Sequence, residues 1–317
     1  MKEQTQKLKR QLLAIVTASL LGLAGCSDSG DQQETETNLP QAADMATSGE
    51  AENDSKAALA ALDNNPNMKF DDYEDLYLSK LNLVARDGTI IKGSTFKVNY
   101  KKIPAFKEIS HIPERKQAFF DYLLPAIEYQ NQLIRERRQI LKGIELKIRD
   151  AETLSSAQQT FMTTMRERYR VAEESSVDEA IALLLRRVDT LPVSMVLAQA
   201  AMESAWGTSR FAREANNLFG QWCFSKGCGV VPKKRTKGAI HEVQKFSSVD
   251  KAIGAYFLNI NSHPTYVITR DVREKMRAKG KALTGHALVA GLEKYSARGH
   301  EYIEELRSMI RTNKLEL

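Results

Sequence analysis

One glutamate lies where a carboxyl group could act as an acid. The segment Val193–Gly207 reads VSMVLAQAAMESAWG, and helical spacings of four and three place Val196, Ala200 and Glu203 on one face. The carboxyl group of Glu203 is therefore expected on the same apolar face as Val196 and Ala200. Removal from water penalises the charged form and raises the pKa of such a group, as a general acid working near neutral pH requires. The alternative is a solvated glutamate near a helix end.

The neighbours of Glu203 suit a bulky ligand. Ala201, Ser204 and Ala205 are small, so a ligand can approach this helix closely. Trp206 offers an apolar ring face of the kind that stacks on a sugar. We therefore treat Trp206 as a candidate substrate-binding residue.

The region before this segment is predicted to be helical. From Pro113 to about Leu154, apolar residues recur every three, four or seven positions between Arg, Lys and Glu. This pattern predicts a long amphipathic helix, which Pro125 is positioned to bend. A second helix is predicted over Ala157–Val171.

Caps and breakers divide the rest of the chain. Ser176 and Glu179 have the spacing of a capping box, and Pro192 suits the first turn of a helix. Glycines, two cysteines and short β-type runs in residues 220–246 indicate a loop or two-stranded lobe. The predicted fold class is mainly α with this small β insertion, and the later helices are expected at 249–261, 265–279, 285–295 and 300–312.

The first residues predict export. A basic stretch and an apolar run from Leu12 to Leu23 precede Ala24, Gly25 and Cys26, which is typical of a secretory signal peptide. The sequence LAGC resembles the lipobox of bacterial lipoproteins, in which the cysteine is lipidated. A plain cleaved signal or an uncleaved anchor are the alternatives. Because Ser27 follows Cys26, the resemblance implies the outer membrane.

Composition sets the remaining boundaries. Residues 26–67 are polar with few aromatic or β-branched residues, so we expect a disordered tether, followed by a small extended segment over 68–112. The 317 residues are 42% hydrophobic, which allows one or two domains. The net charge of +6 includes four cations and Glu3 within residues 1–25. The mature chain is thus only weakly basic, and nothing indicates nucleic-acid binding.

Two cysteines remain once Cys26 is assigned to the lipobox. Cys223 and Cys228 enclose a short loop, and an oxidising compartment favours a disulfide between them. A metal pair is the alternative, but no third or fourth His or Cys ligand has suitable spacing. We expect no metal and no cofactor.

Several motifs together resemble one family. AAMESAWGTSR at 200–210 and NNLFG at 216–220 are similar to the signature of the bacterial glucosaminidases, which include flagellar and autolysin-type peptidoglycan hydrolases. KQAFFDYLLP at 116–125, RVDTLP at 187–192 and QWCFSKGCG at 221–229 resemble the Bax-like branch of that family. The resemblance covers about residues 100–315.

The resemblance implies a fold and an activity. The fold is a lysozyme-like α+β domain, in which a helical lobe and a small β lobe form a groove. The activity is hydrolysis of the bond after N-acetylglucosamine in peptidoglycan, with Glu203 as catalytic acid. We therefore expect an N-terminal helical region over 113–175, containing the long amphipathic helix, and a catalytic domain over 176–317.

A second catalytic group is harder to assign. Glycosidases normally use two carboxyl groups, about 5 Å apart for retention and roughly 6.5–9.5 Å apart for inversion. The family places a less constant acidic residue in the β lobe, where Pro232–Phe246 offers only Glu242. An ordinary strand carboxylate is the alternative for Glu242. Assistance by the acetamido group of the substrate, or attack by a sugar hydroxyl as in lytic transglycosylases, would replace a second carboxylate.

The resemblance also nominates residues around the groove. KYSARGHEY at 294–302 is similar to a family stretch whose first tyrosine lines the groove, which corresponds to Tyr295, although a packed core tyrosine is equally compatible. Asn216 and Asn217 are expected to shape the groove wall, with Phe219 packed beneath, in structural or substrate-binding roles.

The sequence thus predicts an endo-β-N-acetylglucosaminidase that acts on peptidoglycan strands. It would face the periplasm from the cell envelope, held by a lipid on Cys26. The alternatives are anhydro-forming cleavage and a binding module without turnover. No protein partner is indicated.

Overall fold

The computed structural model describes residues 48–64, 82–84, 90–92, 100–233, 235 and 238–316. The predicted leader, Cys26 and the first part of the predicted tether lie outside these residues. None of the described helices is long and apolar enough to cross a membrane.

A long central helix organises the helical part of the structure. Helix α2 (Ile112–Arg149) has Pro113 in its first turn, where a missing N–H is tolerated, and includes Pro125 in its interior. At 38 residues it is about 57 Å long. It contacts helix α1 (Ser48–Asn64) on one side and the helices around Glu203 on the other.

The remaining helices follow with short connections. The short 3₁₀ helices are Phe106–Glu108, Pro264–Tyr266 and Val289–Tyr295. The α-helices after α2 are α3 (Ser156–Arg168), α4 (Val177–Arg187), α5 (Val193–Ser204), α6 (Arg210–Ala215), α7 (Val249–Ser262), α8 (Val267–Ala278), α9 (Gly285–Leu288) and α10 (His300–Thr312).

Two small antiparallel sheets complete the described structure. Strands β1 (Asn82–Val84) and β2 (Ile90–Lys92) pair with Leu83 opposite Ile91. The second sheet has the order β3-β5-β4. Its strands are β3 (Trp222–Cys223), β4 (Gly229–Val230) and β5 (Glu242–Gln244).

Tight packing against β5 explains one glycine of the β lobe. A Cβ atom on Gly229 would lie 2.0 Å from the carbonyl oxygen of Val243, so only glycine allows β4 this close to β5. The predicted mainly α fold with a small β lobe is confirmed.

The predicted tether is wrong for residues 48–64, which form helix α1. Leu59 and Leu62 are buried although the segment is polar on average. Ser55 Oγ lies 3.0 Å from Gln139 Oε1 on α2, and Gln158 Nε2 on α3 donates to Asp63 at 2.9 Å. A few apolar residues at helical spacing suffice because α2 and α3 supply the rest of the interface.

Helix ends follow the predicted signals in most places. Both members of the capping box at Ser176 and Glu179 form their reciprocal hydrogen bonds. Pro192 lies at the N-cap of α5, one position before the predicted first turn. The predicted helix 285–295 divides into α9 and a 3₁₀ segment.

A buried asparagine fixes the entrance to helix α5. Asn131 of α2 donates to the carbonyl oxygen of Leu191 and accepts from its N–H, both at 3.0 Å. Asn131 is 4% exposed, so these two bonds form away from water. The helix that carries Glu203 is thereby held to α2 at its start.

Candidate active site

Helix α5 ends immediately after Glu203 through left-handed residues. Ala205, Trp206 and Gly207 have φ values of 50°, 58° and 72°. The N–H of Trp206 donates to Ala201 O at 2.9 Å, and the N–H of Gly207 donates to Ser204 Oγ at 2.8 Å. These bonds satisfy the last groups of the helix. The Ser and Gly of the motif therefore have structural roles in placing the glutamate.

Trp206 packs against the long helix. Its ring makes edge contacts with Phe119 and Phe120, at centroid distances of 5.9 and 5.2 Å. Lys116 Nζ lies 4.7 Å from the centre of the Trp206 ring. These contacts attach the end of α5 to α2. The predicted stacking of Trp206 on a sugar stays a prediction, and its contacts favour a structural role.

The carboxyl group of Glu203 belongs to a hydrogen-bond chain across three helices. Tyr302 Oη donates to Glu203 Oε1 at 2.7 Å. Gln199 Nε2 donates to Tyr302 Oη at 2.9 Å, and Tyr256 Oη donates to Gln199 Oε1. Gln199, Tyr256 and Tyr302 are fully buried. The chain fixes the orientation of Glu203 from behind.

The surroundings of Glu203 favour its protonated form. Burial raises the pKa of this half-buried carboxyl group, although the Tyr302 hydrogen bond and the Arg298 charge lower it in part. The C-terminal end of α5 carries partial negative charge and also disfavours a carboxylate. The raised pKa is what a proton donor needs.

The second oxygen of Glu203 lies beside a cleft. A Cβ atom on Gly220, whose φ is 65°, would lie 3.7 Å from Glu203 Oε2, so this glycine leaves the approach open. Gly220 is one of the residues that line a cleft of about 340 Å³. Glu203 adjoins the cleft but is not part of its lining. The lining residues are Arg170, Phe219, Gly220, Gln221, Trp222, Gln244, Ala255, Leu258, Asn259, Tyr266 and Tyr295.

Tyr295 lines the cleft and also packs against Tyr302, the tyrosine that donates to Glu203. Its ring is parallel to that of Tyr302 at a centroid distance of 5.8 Å, and its hydroxyl donates to Phe219 O at 2.6 Å. Burial raises the pKa of Tyr295 well above its ordinary value, so its phenol stays neutral. The structure thus brings Tyr295 to the cleft and close to Glu203.

The two asparagines use their amides to hold the chain. Asn216 Nδ2 donates to Lys101 O and Phe246 O, both at 3.1 Å. Asn217 is 1% exposed, and its amide donates to Gln221 O at 2.8 Å and accepts from the N–H of Phe219 at 3.3 Å. These contacts favour structural roles, and substrate binding by either residue stays a prediction.

Phe219 lines the cleft with a side chain that is almost fully buried. It is 1% exposed, and its ring stacks on Tyr256 at a centroid distance of 4.1 Å. Its carbonyl oxygen accepts the hydrogen bond from Tyr295. Direct binding of substrate by the Phe219 ring stays a prediction.

Glu242 occupies a different environment in the β lobe. Its two oxygens accept from the N–H groups of Gly227 at 3.1 Å and Gly229 at 2.8 Å. These bonds lower the pKa of Glu242. The structure joins Cys223 and Cys228 in a disulfide that closes the same loop. Glu242 as catalytic base stays a prediction, and its contacts favour a role in holding this loop.

Sequence reasoning missed three residues of the site. Tyr302 is the last tyrosine of the stretch 294–302, so its position in that motif was the available signal. Trp222 lines the cleft and is 49% exposed, whereas only Trp206 was nominated for stacking. Arg170 lines the cleft from the region before the signature, and no local pattern distinguishes it.

The described part of the chain holds no group of three or more His, Cys, Asp or Glu side chains arranged to bind a metal ion.

Comparisons with known proteins agree with the motifs. The model of the Glucosaminidase family, described as mannosyl-glycoprotein endo-beta-N-acetylglucosaminidase, matches residues 178–315. Protein bax of Escherichia coli (strain K12) is 32% identical over 213 residues, covering 67% of this chain and 74% of that protein.

A solved structure is similar at a lower level. The catalytic domain of the autolysin Auto from Listeria monocytogenes is 22% identical, with a TM-score of 0.30, over 54% of this chain and 94% of that chain. The relation to protein bax and the matched family model carry the assignment. On these grounds, the chain belongs to the bacterial glucosaminidase family, in its Bax-like branch.

Proposed function

We propose that this protein is a peptidoglycan hydrolase, an endo-β-N-acetylglucosaminidase that cleaves the bond after N-acetylglucosamine with Glu203 as general acid. The carrying observation is the placement of Glu203, whose Oε1 is held by Tyr302 and whose Oε2 adjoins Gly220 at the cleft. Membership of the glucosaminidase family supports the bond type.

The raised pKa of Glu203 supports its role in bond cleavage. The protonated carboxyl group transfers its proton to the glycosidic oxygen while the bond from that oxygen to the anomeric carbon breaks. Such proton transfer contributes typically about 10²–10⁴-fold in rate. Tyr302 then stabilises the carboxylate that remains, because its hydroxyl already donates to Oε1.

The second catalytic group is proposed to come from the substrate. None of the described residues that line the cleft is acidic, and both oxygens of Glu242 accept loop N–H groups. The carbonyl oxygen of the 2-acetamido group would attack the anomeric carbon as the glycosidic bond breaks, which forms a five-membered ring. Water would then attack the anomeric carbon and open that ring, and its proton would pass to the Glu203 carboxylate and restore the acid. Tyr295 donates its hydrogen to Phe219 O, so towards substrate it acts as an acceptor for the acetamido N–H.

The lack of an acidic side chain among the described lining residues also favours a second candidate reaction. In lytic-transglycosylase-like cleavage, a hydroxyl of the substrate attacks the anomeric carbon and its proton passes to the Glu203 carboxylate, so that an anhydro sugar forms without water. This reaction needs the same acid and no second carboxylate. The two reactions differ in their products and not in the role of Glu203.

Product analysis tests these proposals. Purified protein is incubated with peptidoglycan sacculi, and released sugars are identified by mass spectrometry. Reducing-end N-acetylglucosamine supports hydrolysis, whereas anhydro ends support the second reaction. Sacculi that are bound but yield no soluble fragments, equally with wild type and Glu203→Gln, would contradict the enzyme proposal and support a binding module.

We also propose that the protein is a lipoprotein of the cell envelope, facing the periplasm and held in the outer membrane through Cys26. The supporting observation is the leader and lipobox of residues 1–26. Metabolic labelling with a radioactive fatty acid tests this placement, because Cys26→Ser removes the modified thiol. Equal labelling of wild type and Cys26→Ser would contradict it.

A further inference from the structure

We propose that Arg170 binds a carboxylate of the peptide stem carried by the glycan, and so makes the N-terminal helical region part of the substrate site. This inference rests on the proposed peptidoglycan substrate and names how the cleft recognises it. Arg170 lies before residues 178–315, the part that matches the family model.

Arg170 is the charged residue of the cleft. The other described lining residues are neutral, and the amides of Gln221, Gln244 and Asn259 and the exposed ring of Trp222 suit an uncharged sugar backbone. Within the described part of the chain, no ion pair involves the Arg170 guanidinium. Its side chain is exposed and can take a carboxylate in two parallel hydrogen bonds.

The backbone that presents Arg170 is fixed. Arg170 has a φ of 60°, which is costly for a non-glycine residue. Arg187 of α4 holds this conformation, because its Nη1 donates to the carbonyl oxygens of Tyr169 and Arg170, both at 2.7 Å. Tyr169 is 1% exposed and anchors the preceding residue in the core. An exposed cation on a held backbone is suited to binding.

Surrounding charges also favour an anion here. The pKa of Arg187 is lowered mainly by burial and further by the charges of Arg186 and Arg170. Burial, then the charges of Arg170 and Arg270, lowers the pKa of His263. A carboxylate bound at Arg170 would offset the positive charge that Arg170 contributes to this region.

The chemistry of the polymer identifies the ligand class. A plain N-acetylglucosamine polymer is neutral, whereas the peptide stems of peptidoglycan carry free carboxylates. Amidation of sacculi with ammonia and a carbodiimide converts these carboxylates into neutral amides and leaves the glycan intact. The pair of native and amidated sacculi therefore isolates the contact made by Arg170.

Kinetics on the two substrates test the contact. We expect amidation to lower kcat/KM of the wild type about tenfold, mainly through KM, and Arg170→Gln to lower it about tenfold on native sacculi. Arg170→Gln should respond little to amidation, because the two changes remove the same interaction. Arg170→Lys keeps the charge and should lose less.

Arg213→Gln is the matched control. It removes an exposed arginine from α6, outside the cleft lining, and should leave the ratio between native and amidated sacculi at the wild-type value. An Arg170→Gln enzyme with the wild-type response to amidation would overturn the inference while leaving the hydrolase proposal intact.

Binding separates the inference from turnover. In a Glu203→Gln background, co-sedimentation with native sacculi should be weakened about tenfold by Arg170→Gln, with no such difference on amidated sacculi. This result would support the inference even if the wild type released no sugar, in which case only the hydrolase proposal would fail. Equal binding by both proteins to native sacculi would refute the role of Arg170.

Discussion

The end of helix α5 carries Glu203, and the β lobe closed by the disulfide carries Glu242. The two environments shift the pKa of the glutamate in opposite directions. Glu203 accepts one hydrogen bond from a tyrosine, which lowers its pKa in part, but burial outweighs this bond and raises the pKa. Glu242 accepts two backbone N–H groups, which lower its pKa. The surroundings therefore favour the protonated form of Glu203, whereas those of Glu242 favour its carboxylate form.

The difference lies in what the surroundings supply. Backbone N–H groups carry no net charge but stabilise a carboxylate by donating hydrogen bonds to it. A folded loop can direct two of them at one carboxylate. The C-terminal end of a helix presents free carbonyl groups, whose partial negative charge disfavours a carboxylate. A glutamate near a cleft is therefore not enough to identify an acid, because the hydrogen-bond donors around it decide its role.

The largest expected effect comes from Glu203→Gln. Sugar release from sacculi should fall at least about 10³-fold, because the amide cannot donate the proton. Folding should persist, since the amide oxygen can still accept from Tyr302. Mass spectrometry of released sugars measures the loss, and Glu214→Gln, on the exposed face of α6, is the control that should keep full activity. Unchanged release by Glu203→Gln would remove the assigned acid.

Tyr302→Phe tests how the acid is tuned. Because the Tyr302 hydroxyl lowers the pKa of Glu203 in part, its removal should raise that pKa further. The alkaline limb of the pH–rate profile should therefore move to higher pH. The rate near neutral pH should fall about tenfold, because the carboxyl group loses its orientation. Tyr122→Phe also removes a tyrosine hydroxyl, one that donates to Lys102 O, and should not move the limb.

Glu242→Gln tests the other half of the comparison. Activity should stay within about threefold of wild type if Glu242 only holds the loop. Thermal stability should fall, because one amide oxygen replaces two carboxylate oxygens that accept from Gly227 and Gly229. A loss of activity as large as that of Glu203→Gln, at unchanged stability, would restore Glu242 as the catalytic base.

The pH dependence of stability should differ in sign between the two glutamates. The folded pKa of Glu203 is raised, so its favourable contribution is present at low pH and lost as pH rises through that pKa. The folded pKa of Glu242 is lowered, so its contribution is present at higher pH and lost as pH falls through that pKa. Melting temperatures of both Gln variants across pH 3–8, compared with wild type, should show these opposite trends.

The smallest effect on activity is expected from opening the disulfide. Replacing Cys223 and Cys228 by serine should lower the free energy of unfolding by about 2 kcal/mol, given the short loop. Activity should change less than about twofold, because Glu242 still binds the loop N–H groups. Urea unfolding and sugar release measure the two quantities. A large loss of activity at modest loss of stability would place this loop in the substrate site.

Local patterns were sufficient to predict helix α5 and the face of it on which Glu203 lies. Val196 and Ala200 are fully buried on the stripe that was predicted to include Glu203. The capping box at Ser176 depends on neighbours within four residues and could be predicted for the same reason. Periodicity and capping are local properties, so one sequence reveals them.

Contacts between distant segments could not be predicted in this way. Tyr302 reaches Glu203 across 99 positions of the chain. Trp206 turns towards α2 because three successive residues adopt left-handed conformations, which composition does not indicate. Helix α1 was missed because average polarity hides the few residues, such as Leu59 and Leu62, that bind it to its neighbours.

The position of helix α1 in the chain bears on the proposed lipid anchor, because it sets the length of chain between Cys26 and the first described helix. If Cys26 holds the acyl chains, only the 21 residues from 27 to 47 separate the lipid from the first residue of α1. Fully stretched, that length spans at most about 75 Å, roughly half of what 41 free residues up to position 67 would allow. Lengthening or shortening residues 27–47 should therefore change which layers of the cell wall the catalytic domain can contact, without altering the cleft.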